Sequence, residues 1–182
     1  MLAETIPPWL QAVLNRLNTT LLQESSEPDN AADSHPGETV HLFGGSAPNH
    51  VLVNEYLAGQ GIMPHEDGPL HYPNIATLTL GSHAVIEFQP KPHPDPSTPA
   101  QTIRVLLEPN SLFIVRGSMY TAYLHGIASV TEDVITADLA NLAQCQAVEG
   151  EVLPRATRVS LTMRRVLRVS KLNPALMFGK KR

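Results

Sequence analysis

Apolar residues in the stretch IPPWLQAVLNRLNTTLL, residues 6–22, recur at Ile6, Trp9, Leu10, Val13, Leu14, Leu17 and Leu21. Spacings of three and four residues place them along one side of a helix, so the segment reads as an amphipathic helix that packs on a domain. Pro7 and Pro8 fit only the first turn of such a helix. The next stretch, QESSEPDNAADSHPG at 23–37, is polar and rich in turn formers, a flexible connector. From residue 38 the pattern shortens to apolar runs bounded by Gly, Pro or Asn: NHVLVNEYL, NIATLTLG, HAVIEFQP, IRVLLEP, SLFIVRG, TAYLHGI and TRVSLTMRRV. Short β-branched runs with few helical stretches between them predict a sandwich or jelly roll. QPKPHPDPSTPAQ, residues 89–101, carries five prolines and reads as a loop between two strands. Residues 131–154 suggest a short helix at TADLANLAQ and a turn at EGE. The domain boundaries that follow are a helix and linker over 1–37, a β domain over 38–170 and a basic tail over 171–182.

Composition adds three constraints. With 182 residues the chain can bury one full core. No run approaches the ~18 apolar residues of a membrane span, and MLAETIPPWL lacks the basic and apolar halves of a secretory signal. The single cysteine, Cys145, cannot form an intramolecular disulfide and suits the cytoplasm or nucleus. In NLAQCQAVEG it reads as an incidental loop thiol. Net charge is −4, which argues against indiscriminate nucleic-acid affinity. The charge is unevenly spread, however. Residues 155–182 hold nine of the thirteen Lys and Arg and no acid, while residues 1–154 hold all seventeen acids. The basic end is either a solvated tail or an anion-binding strand followed by a basic arm.

The candidate chemistry lies in MPHEDGPLHY, residues 63–72. His65 and Asp67 are two apart, and side chains two apart on a strand share a face. They are either two metal ligands or two polar residues at a surface turn. A third ligand has to come from a distant strand, and His125 in YLHGI is the candidate. Two histidines and a carboxylate form the facial triad of non-haem iron oxygenases. In RVSLTMRR, Arg158, Ser160, Thr162 and Arg164 alternate with Val159, Leu161 and Met163. Arginines six residues apart sit about 20 Å apart along a strand, and their guanidinium heads can close on a dicarboxylate between them. Asn54 and Tyr56 share a face in VLVNEYL and can donate to the same anion.

With these segments together, NHVLVNEYLAGQGIMPHEDGP, LHGI and TRVSLTMRRV resemble the Fe(II)/2-oxoglutarate dioxygenases of the AlkB family. IPPWLQ and IMPHEDGPLHYP resemble its sixth-homologue branch. The likeness covers about residues 6–170. It implies a double-stranded β-helix, a form of jelly roll, with Fe(2+) held by His65, Asp67 and His125. It further implies 2-oxoglutarate and O2 as cosubstrates, with Arg158 on the distal carboxylate, Arg164 near the chelating end, and Asn54, Tyr56 and Ser160 beside the cosubstrate. Ser160 stands where relatives place an asparagine. The implied reaction decarboxylates 2-oxoglutarate to succinate and CO2 and hydroxylates a C–H bond. An N-methyl group so treated leaves as formaldehyde. Because iron needs neutral imidazoles, turnover is expected to fall in acid.

Two departures bear on substrate. DNA-repair members of the family carry an acid two positions after the metal aspartate, where this chain has Pro69. The family also has a longer N-terminal part forming a nucleotide-recognition lid, whereas this chain begins at the helix before the core. Either the gene model is shortened or the lid is absent, and an absent lid predicts poor or uncoupled turnover. The remaining polar residues carry ordinary expectations. Arg165 points away from the site, Met63 belongs to the core, and Arg116 pairs with the acidic body. His35, His41, His50 and His93 are loop or surface residues. His71, Tyr72 and His83 lie near the motif or on the following strands, and Tyr120 and Tyr123 pack around His125. Three functions compete: demethylation of an alkylated nucleic acid, with Arg168, Lys171 and GKKR aiding phosphate contact; the same oxygenation of a protein side chain; and a non-catalytic relic of the fold. A monomer is expected.

Overall fold

The computed structural model describes residues 5–24, 42–92 and 101–167. The connector beyond residue 24, the middle of the proline-rich loop, the basic tail over 171–182, and His35, His41, His93, Arg168 and Lys171 lie outside the described residues. Helix α1 (Pro8–Glu24) is followed by strands β1 (His50–Tyr56), β2 (Ile62–His65), β3 (Asn74–Gly81), β4 (Ala84–Pro90), β5 (Ile103–Leu107) and β6 (Leu112–Arg116). A single helical turn, α2 (Ser118–Thr121), leads into β7 (Tyr123–Ile127). Then come β8 (Glu132–Val134), a 3-10 turn (Leu142–Gln144), β9 (Val152–Pro154) and β10 (Arg158–Arg164).

Eight of these strands form two antiparallel four-stranded sheets, in the orders β1-β10-β3-β6 and β2-β7-β4-β5. No neighbours in the first sheet are consecutive in sequence, because the chain passes back and forth between the sheets. This is the winding of a double-stranded β-helix, the jelly-roll fold the strand pattern predicts.

Strands β4 and β5 are covered on both faces, which accounts for the nearly continuous apolar runs in AVIEF and IRVLL. Between the sheets lie Ile86, Phe88, Val105, Leu107 and Val115. On the outer face of the first sheet, Leu14 of α1 packs with Phe43, Ala76 and Met163. On the outer face of the second, Val85 and Leu106 meet Ile135 and Leu139. Trp9 departs from the expected helical stripe: it is 59% exposed, at the margin of the face that Leu10 and Leu14 bury.

The region 131–154 also differs from expectation. TADLANLAQ is helical only in its last three residues, the 3-10 turn, while β8 and β9 on either side of it pair as a hairpin. The reason is competition for backbone groups. β5 is an edge strand, and an edge leaves backbone donors and acceptors to be covered. The Asn141 amide donates to Leu106 O and accepts from Leu106 N, both at 2.9 Å, and Ala140 N donates to Arg104 O at 2.8 Å. Arg104 also donates to Thr136 and Asp138. The segment therefore lies along the edge of β5, and its polar groups are used there.

The hairpin is fixed by a buried polar cluster. Asp133 accepts from Arg155 Nε at 2.6 Å and Nη2 at 2.8 Å, and His83 Nε2 lies 3.1 Å from it. Burial alone would raise the Asp133 carboxyl, but hydrogen bonds from His83 and Arg155 and their charges bring it down to about 2.

Candidate functional site

The site lies in the cleft between the sheets, at the end where β2 meets β7. His65 and His125 are cross-strand partners, with ring centroids 4.5 Å apart. Strand β2 ends at His65, so Asp67 does not share its strand face as the sequence pattern suggested. It lies in the irregular segment just past the strand, followed by Gly68, whose φ of 76° is a conformation that favours glycine. The Asp67 carboxylate nevertheless comes to 3.6 Å from His125 Nε2. One ligand atom from each of His65, Asp67 and His125 can be chosen so that all lie within 4.8 Å of one another.

Two glycines let this happen. A Cβ on Gly126 would meet Pro64 N at 2.9 Å and Ile62 O at 3.0 Å, and one on Gly61 would overlap the Ile127 carbonyl oxygen. Hence β2 and β7 approach closely only because side chains are missing at both positions. The register of β2 also shifts between Ile62 and His65, which turns Met63 outward. Met63 is 82% exposed, on an edge strand, and is not a core residue.

The donor atoms suit a divalent transition ion. His65 Nδ1 lies 2.9 Å from Met63 O. A carbonyl only accepts, so Nδ1 carries the proton and Nε2 keeps a free lone pair. Burial lowers the pKa of His125, with His65 and Arg164 acting in the same direction and Asp67 opposing them. This balance favours the neutral form of the ring, the form that ligates. Arg164 Nη2 pairs with Asp67 Oδ1, leaving Oδ2 on the side of His125.

The opposite wall follows from strand register. Tyr56 pairs with Arg158, Asn54 with Ser160, Leu52 with Thr162 and His50 with Arg164. On the other side of β10, Ser160 pairs with Thr79 and Thr162 with Thr77. Of these rows, Leu52, Asn54, Tyr56, Thr77, Arg158, Ser160, Thr162 and Arg164 line a cleft open to solvent, together with Ile86, Leu107, Phe113 and Val115. Arg158 is 5% exposed. It donates from Nη2 to Thr79 Oγ1 at 3.0 Å, its Nε has no partner, and its guanidinium lies 5.8 Å from the centre of the Tyr56 ring. Burial lowers its pKa, Tyr56 partly offsets this, and Arg155 adds to the lowering. A buried cation with so few acceptors is a site for an anion. Asn54 Nδ2 donates to Tyr56 Oη at 3.0 Å.

Thr77 and Thr79 were not singled out from sequence, although their alternation in TLTLG carries the same signal as RVSLTMRR. The two glycines carried no such signal. Arg165 faces away and donates to the carbonyls of Phe43 and Gly44 at 2.6 and 2.7 Å, over the ring of Tyr72. His71 Nδ1–H donates to Asp67 O at 3.1 Å, and its ring stacks on His50, which is half-buried instead of lying at the surface. Arg116 is exposed, and among the described residues no carboxylate lies within ion-pair distance of it. Cys145 is half-buried against Asn141 O, and burial raises its pKa.

Residues 2–164 match the 2OG-Fe(II) oxygenase superfamily. The chain is 38% identical over 187 aligned positions to the "Probable RNA/DNA demethylase ALKBH6" of Danio rerio, covering 100% of this chain and 70% of that protein. It is 32% identical over 123 positions to the "tRNA (carboxymethyluridine(34)-5-O)-methyltransferase alkbh8" of Xenopus tropicalis, covering 65% of this chain and 18% of that one. Among solved structures, OsALKBH1 aligns with a TM-score of 0.46 and 18% identity, over 88% of this chain and 66% of its own. The chain thus spans only part of the length of each.

Proposed function

Because this chain belongs to the 2OG-Fe(II) oxygenase superfamily, and so to the dioxygenases that use Fe(2+), 2-oxoglutarate and O2, we propose that it oxidatively demethylates an alkylated nucleic acid. One arrangement carries the reading: His65, Asp67 and His125 converge at the margin of the same cleft that holds the buried, under-bonded Arg158. In this reading His65, Asp67 and His125 hold the iron. Bound iron and cosubstrate supply the oxidative decarboxylation that drives hydroxylation of a substrate C–H bond.

The protein's own share is placement. Arg158 and the Tyr56 and Asn54 side chains take the distal carboxylate, Ser160 lines the path, and Arg164 steadies both Asp67 and the chelating end of the cosubstrate. Ile86, Leu107, Phe113 and Val115 keep that wall dry, which strengthens each charged contact. Nucleic acid as substrate is supported by the likeness to the Danio rerio relative, named a probable RNA/DNA demethylase. The reading includes a monomer acting in nucleus and cytoplasm. Pro69, in the position where DNA-repair relatives carry an acid, favours a second substrate class, a methylated protein side chain.

Purified protein with Fe(II) and 2-oxoglutarate is expected to release formaldehyde from N-methylated RNA or DNA oligonucleotides, in step with succinate. It is expected to release none from methylated peptides, and His65→Ala is expected to abolish both products. Formaldehyde from peptides alone would overturn the nucleic-acid assignment. Succinate equal in wild type and His65→Ala would overturn the site.

A further inference from the structure

Asp67 lies outside any strand, so its position relative to His125 has to be held by other contacts. Two such contacts converge on α2. The Tyr120 hydroxyl donates to Gly68 O at 2.8 Å, the residue directly after Asp67. On the other flank, Glu66 pairs with Lys91. The Lys91 ammonium also donates to Thr121 O at 2.9 Å, and its backbone N–H to Ala122 O at 2.8 Å. Tyr120 and Thr121 belong to α2, and two residues after Thr121 the chain enters β7, which carries His125. We propose that Tyr120 and Lys91 are positioning residues: they tie both neighbours of Asp67 to the element leading into the His125 strand, and so set the separation of the two ligands.

The geometry favours this role over simple packing. The Tyr120 ring packs against the core cluster around Phe88, which fixes the ring and leaves its hydroxyl aimed at Gly68 O. The two ties differ in strength. Tyr120 is partly buried, whereas the Lys91 and Glu66 side chains are 31% and 53% exposed, so water weakens their attraction. The Tyr120 tie is accordingly the stronger one.

The proposal rests on His65, Asp67 and His125 being the metal site, and one titration tests the two separately. The full chain is titrated with Mn(II), following free Mn(II) by electron paramagnetic resonance, at a temperature where every variant is folded by circular dichroism. Wild type is expected to bind one ion and His65→Ala none; if they behave alike, the metal site falls and the brace with it. Where that control holds, Tyr120→Phe keeps the ring, removes only the hydroxyl, and is expected to weaken binding by about three- to tenfold. Lys91→Met is expected to weaken it by about two- to threefold, and Lys91→Arg to restore most of that loss. Arg116→Met, at an exposed residue without an ion-pair partner among the described residues, is expected to change nothing. An unchanged Kd in Tyr120→Phe and Lys91→Met, beside a silent His65→Ala, would overturn the brace alone.

Discussion

The two walls of the cleft are built by different physics. On the β1–β10 wall every candidate side chain points inward because strands alternate, and the register aligns Tyr56 with Arg158 and Asn54 with Ser160. On the β2–β7 wall the candidates depend on exceptions: a shifted register, two glycines that admit close approach, and an aspartate beyond the strand end. The first wall spreads its precision over a long regular ladder. The second concentrates it in a few atoms. One misplaced methyl group should therefore damage the metal wall, whereas the cosubstrate wall should fail only when a functional group is itself removed.

Gly61→Ala is the largest test of that difference. Its Cβ would overlap the Ile127 carbonyl and push β2 off β7. Overpacking of this kind costs about 3 kcal/mol, and Mn(II) affinity is expected to fall on the order of 100-fold in the fraction that remains folded. The cosubstrate wall is predicted to shrug off a comparable insertion: Ser160→Thr, also one methyl, should leave the melting temperature within a few degrees and the metal Kd unchanged. Equal damage from both would erase the distinction between the walls. Arg158→Lys is the next largest. It keeps the charge but loses the paired donors, so the KM for 2-oxoglutarate should rise about ten- to hundredfold, with Mn(II) affinity as in wild type. A change in metal affinity would mean that the two walls are coupled.

The same difference explains what could be read from the sequence. RVSLTMRR and VLVNEYL declare their faces by alternation, and the strand rows follow from that. The helix was legible from Leu10 and Leu14, while Trp9 lay too near the edge of the stripe for spacing to decide its burial. IMPH offers four residues with a proline and a register shift, so no periodicity could say that Met63 faces outward or that the strand ends before Asp67. Gly61 and Gly126 matter through the backbone atoms opposite them, which only the folded pairing supplies. The turn at EGE follows from its composition, but TADLANLAQ has local helical spacing while its outcome depends on the bare edge of β5, far away in sequence.

Acid separates the metal wall from the Asp133 cluster with the smallest perturbation. His125 has to be neutral to ligate, and burial, with His65 and Arg164, lowers its pKa below 6.5. The midpoint of its proton uptake in the folded protein therefore lies lower than for an ordinary histidine, and Mn(II) affinity should decline only at a pH more acidic than that ordinary range. The Asp133 cluster titrates later. Its folded pKa of about 2 lies under the ordinary 3.8, so the stability it contributes is complete above 3.8 and is lost as pH falls through about 2. Between these ranges the metal should be gone while the β8–β9 hairpin still holds. A pH series of Mn(II) titrations beside far-ultraviolet circular dichroism should thus give two acid transitions, and Asp133→Asn should weaken the lower one while leaving the upper in place. A single transition in which metal and fold are lost together would mean that the metal wall is no more fragile than the rest of the fold.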